Sequence, residues 1–196
     1  MPPPAPCATE CLSALLFDQL RDIRRDVRIP LILMGYLNPI LHFGFEASAG
    51  NVRNVASTAS HPRPAFREYE ANYKAVAQKY DIRIIMLIPP ETSEKRVREI
   101  DAHTDGFIYM VSSAATTGAQ KDFDTRKQAY FKKIQDMNLR NPRMVGFGIS
   151  NKQTFDAACS HSSGAIIGSR FVTLLNEYKG DAGKAVAHLK EDLEQG

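Results

Sequence analysis

Two short runs in this chain end in glycine and a hydroxyl residue: Arg143-Met-Val-Gly146-Phe-Gly148-Ile-Ser150 and Gly164-Ala-Ile-Ile-Gly168-Ser169. Each is apolar over the length of a strand, and each gives way to a helical pattern. Residues of these types can hold an anion. Glycine lets backbone N–H groups approach an oxyanion closely, and a helix that follows offers unpaired N–H groups and the positive end of its dipole. Two such ends side by side would grip a phosphate. By themselves the glycines also suit ordinary turns, as do Thr116-Thr117-Gly118 and Asn38-Pro39. Tyr109, inside an apolar run at 106–112, suits either a half-buried aromatic or the wall of a ligand site.

The elements that would carry these residues follow from periodicity. Leu15, Leu16, Gln19, Leu20 and Ile23 repeat at helical spacing with Arg21, Asp22, Arg24 and Arg25 opposite, which predicts a helix ending near Val27. Ile29-Pro-Leu-Ile-Leu-Met34 is nearly continuous in apolar residues and predicts a strand buried on both faces. A helix from Phe66 carries Tyr69, Tyr73, Val76, Ala77 and Tyr80, and a strand follows at 82–88. Further helices are expected at about 92–102 and around Tyr130, Phe131, Ile134 and Met137. Strands are expected at 106–112 and from Arg143. Ser150 and Gln153 have capping-box spacing ahead of a helix with Phe155, Ala158 and Cys159 inward.

Alternation of strand and helix predicts a parallel sheet, closed as a barrel or doubly wound. In a (β/α)8 barrel a phosphate site falls after strands seven and eight, beside a short extra helix. Residues 169–176 would be that helix and 181–194 the closing one. One stretch breaks the rhythm: 47–65 shows neither period and reads as loop or disorder, where the regular order asks for a helix and a strand.

Composition narrows the function. With 196 residues and 43% hydrophobic content the chain can bury a large core, yet it is short for a closed barrel, which typically needs about 250 residues. A net charge of +3 without a basic tract points away from nucleic acid and anionic membranes, and leaves a small anionic ligand open. Cys7, Cys11 and Cys159 lack metal-site spacing and are odd in number, as expected of reduced thiols. Apolar runs fall short of the roughly 18 residues of a membrane span. The start Met1-Pro-Pro-Pro-Ala-Pro is unlike a signal peptide, so a cytoplasmic protein is expected.

In order and spacing, four motifs together resemble the α chain of tryptophan synthase: Ile29-Pro-Leu-Ile-Leu-Met-Gly-Tyr-Leu-Asn-Pro39, Tyr109-Met-Val-Ser112 with Thr116-Thr117-Gly118, Gly146-Phe-Gly-Ile-Ser150, and Ala165-Ile-Ile-Gly-Ser169. The resemblance covers about 17–45 and 66–189. It implies a TIM barrel that cleaves indole-3-glycerol phosphate to indole and glyceraldehyde 3-phosphate. It also implies an α2β2 complex with a β chain that carries pyridoxal phosphate, the α chain having no cofactor and no metal of its own. Gly118, Gly148, Gly168 and Ser169 would then bind the substrate phosphate. Tyr109 would lie beside the indole and the reacting carbons as a supporting catalytic residue, and Thr117 would be the mobile-loop threonine that helps position a catalytic aspartate. Tyr36, Asn38 and Pro39 match a loop near the β-chain contact.

The same resemblance asks for two carboxylates that move protons. The family's glutamate ends its second strand, whereas the match begins at the helix before the third, so the glutamate has no counterpart. Its aspartate belongs to a Pro-Asp-Leu-Pro type loop, and His61-Pro-Arg-Pro-Ala65 stands there instead. The expectation is an incomplete barrel lacking strands 1–2 and a normal strand 4, with an atypical start at 1–13, a single domain at 14–196, and little or no activity. A non-catalytic module that binds a phosphate ligand or the β chain is the alternative. Codons for Gly-Ile-Asp-Gly-Val and Ile-Pro-Asp-Leu-Pro, read in another frame, yield Ala56–Ser60 and His61–Pro64, so compensating frame changes would account for the foreign stretch. Asp18, Asp22, Glu46 and Glu68 read as solvated residues.

Overall fold

The computed structural model describes residues 8–35, 40–41, 44–55, 70–111, 125–146 and 148–194. It divides into two compact units, Met1–Met86 and Leu87–Gly196. The motifs Tyr36–Pro39 and Thr116–Gly118, and residues 56–69, lie outside the described residues.

In the first unit, helix α1 spans Ala8–Gln19, a single 3-10 turn spans Ile23–Arg25, and helices α2 and α3 span Phe45–Val55 and Lys74–Lys79. The first helix thus starts inside the stretch read as an atypical start and stops well before Val27. Two further sequence expectations fail in this unit. Ile29–Met34 forms no ladder among the described residues, and Ile29, Ile32 and Met34 are exposed. An apolar run becomes a buried strand only where neighbours take up its N–H and C=O groups. Here the Ile29 carbonyl accepts instead from Arg24 Nη1 at 2.8 Å.

The second failure is the stretch read as loop from residue 47, whose part up to Val55 is helical. Ser48, Gly50, Asn51 and Asn54 are poor helix formers and hide the pattern; tertiary contact supplies what propensity does not. The Phe45 ring lies 4.7 Å from that of Tyr73, and Glu46 pairs with Lys79 and accepts from the Tyr80 hydroxyl at 3.3 Å. Ala49 and Ala77 are buried, and Gly50 lies against the Tyr80 ring.

The second unit carries the expected alternation. Strands β1 (Met86–Ile88), β2 (Ile108–Val111), β3 (Arg143–Gly146) and β4 (Gly164–Ile166) lie side by side in chain order. The pairs β2–β3 and β3–β4 are parallel. Between them run α4 (Glu94–His103), α5 (Thr125–Asp136) and α6 (Lys152–Cys159), followed by α7 (Ser169–Glu177) and α8 (Ala182–Glu194). Ile88, Val97, Ile108, Met110, Phe131 and Val145 are wholly buried, each stabilising the fold by about 1.5–3 kcal/mol.

Local signals fix the helices. Ser93 caps α4 by accepting from the Arg96 amide at 3.3 Å. The capping box of α6 falls one residue later than its sequence suggested: the Asn151 side chain accepts from Thr154 N at 2.9 Å, and Thr154 Oγ1 accepts from Asn151 N at 3.2 Å. Buried Thr154, not Gln153, closes the box, because its short hydroxyl reaches the cap from within the core. The end of α4 is tied to the turn before β3 by Asp101, whose carboxylate accepts from the amides of Arg140 at 2.8 Å and Asn141 at 2.9 Å.

Candidate functional site

The register of the sheet decides where the glycines stand. Gly146 of β3 pairs with Ile166 of β4, and the strands run parallel. Gly148 and Gly168 each follow two residues later, so both leave the same end of adjacent strands. Gly148 sits at φ +79°, in the region that favours glycine. Gly168 is exposed, with open space where a side chain would stand.

Helix α7 begins at Ser169 with Gly168 as its cap, and no side chain caps it. Its first intrahelical bond is Val172 N to Gly168 O, 3.0 Å. The amides of Ser169, Arg170 and Phe171 precede that bond and make up the helix's orphan donors. An uncapped turn of this kind favours an oxyanion through both its N–H groups and its dipole. Leu174, wholly buried, anchors the helix below.

Tyr109 projects from the middle of β2, opposite Met144. It is 6% exposed, and burial pushes its hydroxyl pKa up to about 12. At neutral pH it is therefore a neutral phenol, suited to packing and hydrogen bonding and unsuited to the role of a base. Its ring lies over the backbone of Gly146: a Cβ there would overlap the hydroxyl and stand 2.7 Å from Cε1. Sequence reading quoted Gly146 only as part of a strand end and missed this seating role. No local signal in the sequence marks it, since the contact arises from the register of β2 against β3.

The structure thus gathers Tyr109, Gly148, Gly168 and Ser169 onto strands β2 to β4 and the helix after β4, while Thr117 and Gly118 lie outside the described residues. Asp101, Asp181 and Asp192 of this unit have other engagements. Burial pushes Asp101 up, but the hydrogen bonds from Asn141 and Arg140 outweigh it and leave its pKa below the ordinary value. Asp181 caps the start of α8 at the Lys184 amide, 3.0 Å away, and Asp192 pairs with Arg170. No cluster of three metal-ligating side chains occurs among the described residues.

Comparison with known proteins gives the family. The family profile described as the tryptophan synthase alpha chain matches residues 9–195. This chain belongs to the tryptophan synthase alpha chain family. It is 65% identical over 180 residues to the tryptophan synthase alpha chain of Bacteroides thetaiotaomicron, covering 91% of this chain and 70% of that one. With the alpha chain of Parabacteroides distasonis it shares 60% identity over 182 residues, 92% of this chain and 70% of the relative. The tryptophan synthase α subunit of Pyrococcus furiosus superposes with a TM-score of 0.76 at 25% identity, covering 90% of this chain and 71% of that one. A structure of the α2β2 tryptophan synthase complex from the same organism matches with the same TM-score.

Tryptophan synthase alpha chains are lyases of tryptophan biosynthesis that cleave indole-3-glycerol phosphate, and their fold is the TIM barrel, which sets the fold class of this α/β chain. No helix among the described residues is long and apolar enough to cross a membrane.

Proposed function

We propose that this alpha chain holds the phosphate of indole-3-glycerol phosphate, or of a similar small ester, on main-chain amides at Gly148, Gly168 and Ser169. By the resemblance, Gly118 joins these phosphate ligands, Tyr109 lies beside the indole, and Thr117 answers to the family's mobile-loop threonine. The pairing of Gly146 with Ile166 carries this reading, because it brings two glycine-ended strands and one uncapped helix start to a common end of the sheet. Such a site binds through fixed dipoles and needs no charged side chain.

The chain works without a cofactor of its own. Its partner is a tryptophan synthase β chain in an α2β2 assembly in the cytoplasm, where pyridoxal phosphate belongs to the β chain; the Pyrococcus furiosus complex supports the assembly.

Turnover is slow at best. The segment that answers to the family's catalytic aspartate loop reads His61-Pro-Arg-Pro-Ala65, and each missing acid–base group lowers the rate by about 10²- to 10⁴-fold. Tyr109 does not stand in for a base, being neutral until about pH 12. Indole release from indole-3-glycerol phosphate by purified chain is the test. It should be barely above background, and turnover near that of the Bacteroides thetaiotaomicron relative would overturn this part. The alternative, a non-catalytic module, shares the phosphate site; co-purification with a β chain in the absence of turnover would favour it.

A further inference from the structure

Helices α7 and α8 form an antiparallel hairpin. At one end a tight turn at 178–181 joins them, with Lys179 at φ +51°, Gly180 at φ +91° and the Gly180 amide donating to Leu175 O at 2.8 Å. The other end has no covalent closure. There Arg170, in the first turn of α7, meets Asp192, in the last turn of α8: Nη2 and Nε lie 2.6 and 2.8 Å from Oδ2. Both side chains are 24% exposed. Asp192 Oδ1 is 3.4 Å from His188 Nε2, and His188 Nδ1 is 2.8 Å from the Tyr178 hydroxyl, back at the turn. Glu177 approaches Arg170 Nη1 at 3.8 Å.

The charges are placed against the helix dipoles. A cation at a helix N-terminus and an anion at a C-terminus are each unfavourable alone. Paired, they cancel that penalty and fasten the open end of the hairpin.

We propose that Arg170 and Asp192 are positioning residues for phosphate binding. Their ion pair fixes the first turn of α7 on α8, and so aims the amides of Ser169 and its neighbours at the anion. The Arg170 guanidinium does not touch the phosphate, since Asp192 holds it. This inference rests on the phosphate site proposed above.

The test is titration of the full chain with inorganic phosphate, followed through the amide signals of Gly168 and Ser169. Unfolding midpoints are read on the same samples. Asp192→Asn and Arg170→Gln should each weaken binding by about 3- to 10-fold, a range typical of residues coupled to a site they do not touch. The double variant should be no weaker than either single one. Arg170→Lys, which keeps a cation within reach of Asp192, should recover most of the affinity; a role in stability alone would lower the midpoint and leave the affinity of the folded chain unchanged. Tighter binding by Asp192→Asn with weaker binding by Arg170→Gln would make Arg170 a direct ligand and overturn the inference. Unchanged affinity in both, with loss in Gly168→Asp, would overturn it and leave the phosphate site standing. Indifference to Gly168→Asp as well would remove both.

Discussion

Tyr109 and Gly146 form one unit. The ring fills the space where any side chain at 146 would stand, so Gly146→Ala must shift either β3 or the tyrosine. Overpacking of this kind costs about 1–3 kcal/mol. Gly146→Ala should therefore lower the urea midpoint, and Tyr109→Leu in the same chain should return part of the loss by vacating the overlap. A double variant no better than the additive sum would refute the coupling. The tyrosine was legible in the sequence as a candidate, and the need for glycine on the neighbouring strand, two residues beyond its partner Met144, was not, because that need arises from the register of two strands over thirty residues apart.

At the scale of elements, Tyr130 and Asp101 are side chains that tie helices to neighbouring segments. Tyr130 of α5 donates its hydroxyl to the Ile88 carbonyl at 2.8 Å, at the end of β1. Burial, with Glu91 nearby, keeps this phenol protonated far above neutral pH. Tyr130→Phe removes this buried hydrogen bond and should cost about 1 kcal/mol in chemical denaturation. A change within error would mean that water replaces the bond.

Asp101 makes the second tie, between α4 and the turn before β3. Its folded pKa lies below its unfolded one, so its stabilisation is complete above the ordinary aspartate value of about 4 and fades as pH falls through the depressed folded value. Unfolding midpoints of the parent should fall in that acid range, and those of Asp101→Asn, lower at neutral pH, should fall less. Parallel curves would assign the acid sensitivity elsewhere.

Strands β2 and β3 and helices α4 to α6 were legible because their apolar patterns are local, whereas α7 and α8 were placed by the order of elements in a barrel. Ile29–Met34 misled because an apolar run looks the same whether or not it finds neighbours to pair with. Helix α2 was hidden by serine, glycine and asparagine and is held by the Tyr73 and Tyr80 rings.

At the scale of the molecule, the parallel strands deliver two glycine turns to one end of the sheet, and an uncapped helix starts there. Grip and chemistry separate in such a design: fixed amides bind the ester, whereas cleavage needs proton-moving groups placed by other strands. The measurement that bears most directly on this account is phosphate binding by the full chain and by Gly168→Asp. The parent should bind inorganic phosphate with shifts at the Gly168 and Ser169 amides, and the added carboxylate should weaken binding by at least about 10-fold through repulsion and a blocked approach. A parent that does not bind, or a variant that binds equally well, would contradict it.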